Sequence, residues 1–282
     1  MILVTGASGK TGKAIIKTLS KFESVCAFVR DEKHIDSLKS LGTEEVFIGD
    51  LLDKSALLSA TKNIRAIYHI CPNMNPNEVE FGKIILDVAK QNKIKHFVYH
   101  SVLHPQIEVM HHHWQKMRVE EMIFKSGLPF TILQPAPYMQ NLLSSWKSII
   151  EDGILRVPYS VESKFSFLDL EDLAEVVTIV LTEQNHKNVI YELAGTMPMS
   201  HVEVAEIFSK VLKREVKAEK IETRDWRLRA TGISEYALEN LVRMFEYYDK
   251  WGLVGNPNVL KWILQREASS LEKFIQNVAW DI

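Results

Sequence analysis

Cysteine is scarce: two thiols, Cys26 and Cys71, in 282 residues. Each sits in an apolar run, Val25–Val29 and Ala66–Cys71, so a disulfide framework is excluded and buried thiols in a reducing cytoplasm are expected. Long hydrophobic runs are missing as well. No stretch approaches the ~18 apolar residues that a membrane span needs, and the apolar opening Met1–Thr5 meets Gly6 too soon for a secretion signal. Nor is there an excess of either charge. Thirty-four Lys and Arg stand against 36 Asp and Glu, a net charge of -2, which gives no reason to expect a nucleic-acid or membrane partner. Repeats and low-complexity segments are absent too.

What is present is an ordinary globular composition, 46% hydrophobic and 25% charged, with ample material for a core. Short β-rich runs alternate with helical patterns through the first half. Strands are predicted over 2–5, 25–30, 45–48, 66–71, 96–101 and 130–134, with helices over 13–20, 33–41, 54–61, 78–92 and 111–126. Strand, helix, strand repeated in this way implies a parallel sheet covered on both faces. A further strand, helix and strand are expected over 164–168, 171–182 and 188–193, with Asp169 capping the helix and Asp172 in its first turn. Gly127 is placed to end a helix in the left-handed conformation. The expected architecture is α/β: a doubly wound parallel Rossmann sheet with a smaller, mainly helical C-terminal cap. Residues 1–137 and 163–195 form the core; residues 138–162 and 196–282 form the cap, with helices over 201–213 and 234–248 and a short strand over 216–219.

Between the first strand and first helix lies Thr5-Gly6-Ala7-Ser8-Gly9-Lys10-Thr11-Gly12. The first glycine permits a tight turn, the second lets backbone approach a pyrophosphate, and the third lets the helix pack closely with its N–H groups aimed at the anion. Ser8, Lys10 and Thr11 line the same loop. A nucleoside-triphosphate P-loop is excluded, because the leading glycine that Gly9-Lys10-Thr11 would require falls on Val4. At the end of the second strand, where an NAD site carries an acid about 20 residues beyond the glycines, this chain has Arg30. A guanidinium there clamps a 2′-phosphate, with Lys10 and Lys33 to assist, so NADP(H) is the expected cofactor. The competing reading makes Arg30 a solvated surface residue and gives an NAD ribose to Asp31.

These features, with Gly49-Asp50-Leu51, Leu128–Pro135, Phe167–Ala174 and Tyr191–Gly195, resemble the NmrA-like, atypical short-chain dehydrogenase/reductase family over most of the chain. That family contains NADPH-dependent quinone reductases and NADP-sensing regulators. The resemblance implies that Asp50 and Leu51 flank the adenine, that Cys71 and Pro72 lie along the nicotinamide-side ribose, and that Pro135–Tyr138 border the nicotinamide. A stiff proline loop is the plainer reading of Pro135-Ala136-Pro137.

Dehydrogenases of the wider class use Y-x-x-x-K on a helix, the tyrosine as acid or base and the lysine one turn away to hold the ribose. Here Ser101 ends the right strand and Lys116 is the matching lysine, but His112 stands where the tyrosine would be. Histidine transfers protons near neutral pH, which makes Lys116, His112 and Ser101 the candidate catalytic residues. Loss of the tyrosine suits a quinone, whose oxygens take protons from water, better than an alcohol. The expected function is NADPH-dependent reduction of a quinone or other small carbonyl compound by a monomer or homodimer. The alternative is an NADP(H)-binding redox sensor without turnover, acting through a partner protein. No metal site is expected, since His111-His112-His113 point ~100° apart on a helix and cannot converge on one ion. Tyr138, Met139, Trp146 and Phe165 are candidates for an aromatic pocket wall, or for core.

Overall fold

The computed structural model describes residues 1–280. In chain order its strands are β1 Ile2–Val4, β2 Val25–Val29, β3 Glu45–Ile48, β4 Ala66–His69, β5 His96–His100, β6 Phe130–Pro135, β7 Ile154–Val157, β8 Val189–Leu193 and β9 Lys217–Lys220. Its α-helices are α1 Lys10–Leu19, α2 Ile35–Lys39, α3 Lys54–Ala60, α4 Glu78–Gln91, α5 His111–Phe124, α6 Trp146–Asp152, α7 Leu170–Thr182, α8 His201–Leu212, α9 Thr223–Arg229, α10 Glu235–Trp251, α11 Asn258–Leu264 and α12 Leu271–Trp280. None of these helices is long and apolar enough to cross a membrane.

Seven strands form one parallel sheet in the order β3-β2-β1-β4-β5-β6-β8. The connections carry the chain outward from β1 to β3, then back across β1 to β4 and away in the other direction. The order therefore reverses between β1 and β4, the place where open α/β sheets form a crevice at the strands' carboxyl ends. On one face α3, α4 and α5 bury Leu57, Ile85, Leu86, Val119 and Ile123 against Phe28, Ile67, Phe97, Tyr99 and Ile132 of the strands. Gly82 exists for this packing, since a Cβ there would come within 2.8 Å of Val119.

The chain divides into two compact units: residues 1–106, 112–134 and 173–191, and residues 107–111, 135–172 and 192–280 among those described. The second unit takes in the start of α7 and the segment before α5, stretches that the sequence reading assigns to the core. It contains a two-stranded parallel sheet of β7 and β9, Ile154 paired with Lys217 and Val157 with Lys220, followed by helices packed around Phe165, Phe208 and Leu260.

Several expected elements take a different form. α1 begins at Lys10, three residues early, so Thr11 and Gly12 lie in its first turn. The helix expected over 33–41 is a 3-10 turn, Glu32–His34, followed by α2, because the Asp31 carboxylate accepts from Lys33 N and fixes a tight start. The strand expected over 164–168 is not formed. Phe165 makes single bridges to Met199 and Leu253, and Leu168 one to Tyr138, so its apolar character reflects burial, not a ladder. Asp169 does cap α7, accepting from Glu171 N at 2.9 Å. Asp172, 1% exposed, holds Arg266 at 2.8 Å and Ser269 N at 2.7 Å; it ties down the chain ahead of α12 instead of merely favouring the helix dipole. Gly127 has φ +72° as its helix-ending role requires.

Candidate functional site

Gly6 has φ +60°, and a Cβ on it would lie 2.8 Å from the Ile70 carbonyl at the end of β4. A Cβ on Gly12 would lie 2.5 Å from the Gly6 carbonyl and 2.7 Å from Ala7 Cα. Both glycines are therefore required by the protein's own turn and packing. Gly9 is different. Its φ of -73° suits any residue, and a Cβ would meet only the Gly6 carbonyl, at 3.3 Å. As N-cap of α1 it supplies no side-chain acceptor, and the first turn carries no acid. The positive end of the dipole of this ten-residue helix is therefore met by no N-cap side chain and by no acid of its own first turn. An anion such as a pyrophosphate fits there, with half-buried Ser8 and Thr11 and the exposed Lys10 beside it.

One strand over, Arg30 follows β2 and is exposed. Its neighbours are committed to each other: Asp31 bonds Lys33 N at 3.0 Å and pairs with Lys33 Nζ at 2.6 Å. The acid that would serve an NAD ribose is thereby engaged in starting the 3-10 turn ahead of α2, and Lys33 is drawn into the same pair. Arg30 has no such partner among the described residues. Beyond β3, Asp50 accepts from Leu52 N at 2.8 Å, which occupies one carboxylate oxygen. Leu51 packs half-buried on the apolar cluster of the sheet.

The carboxyl ends of β4 and β5 carry a buried polar network. Thr5 Oγ1, at the root of the glycine loop, accepts from Ile70 N at 2.9 Å and shares a hydrogen bond of the same length with His69 Nδ1. His69 Nε2 lies 3.3 Å from Cys71 Sγ, and the thiol donates onward to the Glu78 carboxylate. Pro72 follows, exposed. Glu78 Oε1, in the first turn of α4, accepts from the Tyr99 hydroxyl at 2.7 Å and from Lys116 Nζ at 3.1 Å. Lys116 Nζ also donates to the His100 carbonyl at 3.2 Å and lies 5.4 Å from the centre of the Tyr99 ring.

Electrostatics follow from this burial. Desolvation works against ionising Glu78, but the Lys116 ammonium and the hydrogen bonds from Tyr99 and Cys71 outweigh it, and its carboxyl stays below the ordinary range. Burial pushes the Cys71 thiol and the Tyr99 phenol well up, so both are neutral donors. Burial also pulls His69 down to about 4 and His100 to about 3, which keeps both imidazoles neutral.

Lys116 therefore stands at the expected end of α5, with an ion-pair partner that the sequence did not disclose. Ser101 is 2% exposed and donates its hydroxyl to Glu120, which also accepts from Gln134 Nε2 at 3.0 Å. That commitment turns Ser101 inward. Burial raises the Glu120 carboxyl. His112 is half-buried, one turn before Lys116, with its ring edge-on to His113 at 4.4 Å.

Pro135 and Tyr138 belong to the second unit. Pro135 is buried at the end of β6, and half-buried Tyr138 is held by hydrogen bonds on either side, Leu168 N to the Pro137 carbonyl and Met139 N to the Leu168 carbonyl, both 3.0 Å. Phe165 packs on Tyr159, Phe167, His201 and Tyr248. Met139 is fully buried, and Trp146 packs on Phe208. Phe165 and Met139 form core of that unit, whereas half-buried Trp146 lines a surface cavity with Ile150 and Leu212.

With the parallel sheet, the glycine turn and the buried lysine in place, the profile of the NmrA-like family matches residues 1–279. The chain belongs to the NmrA-like family. It is 30% identical over 220 residues to an NAD(P)H azoreductase of Xenophilus azovorans, spanning 77% of this chain and 76% of that one. Its fold is similar to that of an NADPH-dependent quinone oxidoreductase of Escherichia coli solved with NADPH: TM-score 0.87, 23% identity, 99% of this chain and all of that one. It is also similar to NmrA, a negative transcriptional regulator, with TM-score 0.83, 18% identity, 98% of this chain and 95% of that one. At such identities the two structural likenesses are likenesses of fold.

Proposed function

We propose that this chain is an NADPH-dependent oxidoreductase that reduces a quinone or another small carbonyl compound. The observation that carries the reading is the pairing of an α1 N-terminus whose N-cap, Gly9, offers no side chain with the exposed cation Arg30, while Asp31 is engaged by Lys33. Gly9 to Gly12 receive the pyrophosphate, Arg30 and Lys10 the 2′-phosphate, and Asp50 and Leu51 the adenine. Cys71, Pro72 and Lys116 hold the nicotinamide-side ribose. Bound NADPH supplies a hydride. Lys116 offers the ribose hydroxyls the ammonium N–H that its internal partners leave over. His112 stands where the Y-x-x-x-K tyrosine would be, so proton delivery falls to water or to His112, which suits acceptors whose reduced oxygens equilibrate with solvent. The 30% identical azoreductase supports a reductase acting on a small molecule.

The test is consumption of NADPH by purified protein with a panel of quinones, aldehydes and azo dyes. Turnover of at least one class well above the protein-free rate is expected. Tight NADPH binding with no oxidation by any acceptor would instead support the second reading, a cofactor-sensing regulator working through a partner protein. That reading draws on the absent tyrosine at position 112 and on the fold shared with NmrA.

A further inference from the structure

Lys116 is the residue on which the site turns, yet its ammonium is not free in a cleft. Its side chain is 12% exposed and its partner Glu78 only 4%. Of three ammonium donors, one goes to Glu78 Oε1 and one to the His100 carbonyl, while the ring of Tyr99 lies alongside. Tyr99 donates its hydroxyl to the same Glu78 oxygen, so the carboxylate is pinned from a second direction. One ammonium donor remains. A lysine tail has four rotatable bonds and loses much rotamer freedom when held; a seat built in advance removes that cost from the binding of whatever the third donor meets.

We propose that Glu78 is a positioning residue that seats Lys116, with Tyr99 bracing the carboxylate. The proposal deepens the NADPH reading, since the seated lysine serves the cofactor ribose. Glu78 does not touch the cofactor; it acts through Lys116. Through Cys71 and His69 the same seat connects to Thr5, whose hydroxyl fixes the start of the glycine loop. One buried network thus braces both the lysine and the phosphate turn.

The test combines two readouts on the full chain. The first is the reactivity of the Lys116 amine toward a water-soluble acylating reagent, followed by peptide mass spectrometry without any nucleotide. Glu78→Gln should raise that reactivity at least about fivefold, as expected when a buried charge-assisted bond is lost. Unchanged reactivity overturns the seat, whatever the cofactor reading does. The second is a double-mutant cycle on the NADPH dissociation constant. Glu78→Gln alone should weaken NADPH about tenfold, the scale of one charge-assisted hydrogen bond. In a Lys116→Met background the same change should cost less than twofold. Equal losses in both backgrounds, or affinity within twofold of wild type for Glu78→Gln, overturn the proposal. A purely structural Glu78 would lower the melting temperature and weaken binding regardless of residue 116. Should Glu78→Gln fail to fold, the charge-free pair Glu78→Gln/Lys116→Met against Lys116→Met still decides: equal NADPH affinity supports the seat and a further loss refutes it.

Discussion

Arg30 presents a planar guanidinium suited to bidentate phosphate contacts, on an exposed side chain one strand away from the glycine loop. If it reads a 2′-phosphate, Arg30→Ala should weaken NADPH at least about tenfold, the scale of a lost bidentate ionic contact, and weaken NADH less than twofold. Calorimetric titration with both nucleotides measures this, and equal losses would remove Arg30 from the site. A second residue-level expectation concerns pH. Burial holds His69, His96, His113 and His201 at about 4 and His100 at about 3, below the 6.5 of a free imidazole. On acidification through 6.5 the unfolded chain takes up protons that the folded chain refuses. The folded state is therefore fully favoured above that pH and loses stability between about 6.5 and 3. Thermal unfolding followed by circular dichroism should show a midpoint at least ~5 °C lower at pH 5 than at pH 7. A midpoint independent of pH over that interval would mean that these rings are not neutral in the folded protein.

Among the elements, the turn into α1 separates demands of the fold from demands of a ligand. Gly12→Ala drives a methyl against Gly6 and Ala7 backbone and should lower both melting temperature and NADPH affinity. Gly9→Ala meets only one carbonyl at 3.3 Å. It should leave the melting temperature within ~2 °C, a surface-scale effect, while weakening NADPH about tenfold or more by filling the approach to the pyrophosphate. Parallel losses in the two variants would mean that the turn is purely structural. At α7, Asp172→Ala leaves the Arg266 guanidinium and Ser269 N–H without their shared acceptor. A cost of about 3 kcal/mol is expected from urea unfolding; a cost below 1 kcal/mol would show that this anchor contributes little.

The central strands β1, β2, β4 and β5 were legible because each is a fully buried, largely apolar run, as sheets covered on both faces require, and the glycine turn because its spacing is a property of one loop. What depends on partners distant in sequence was not. β7 is paired by β9, over 60 residues away, and the run 164–168 is apolar through burial alone. Glu78 reads in sequence as an acid favouring a helix N-terminus; only the fold brings it to Lys116, with Tyr99 between them. The doublet Tyr99-His100 at a strand end was the one local sign that polar groups collect there.

The molecule as a whole joins a parallel sheet that reverses order at β1 and β4, a glycine turn on one side of that reversal, and a braced lysine beyond the other. The central claim is that NADPH bound there gives up its hydride. A single-turnover experiment tests it most directly, with protein in excess over NADPH, a quinone added, and nucleotide and hydroquinone both quantified. The account predicts one equivalent of NADP+ and one of hydroquinone, formed faster than without protein, with the rate reduced in Lys116→Met. NADPH that stays bound and unoxidised in the presence of the quinones, aldehydes and azo dyes of the panel would contradict it.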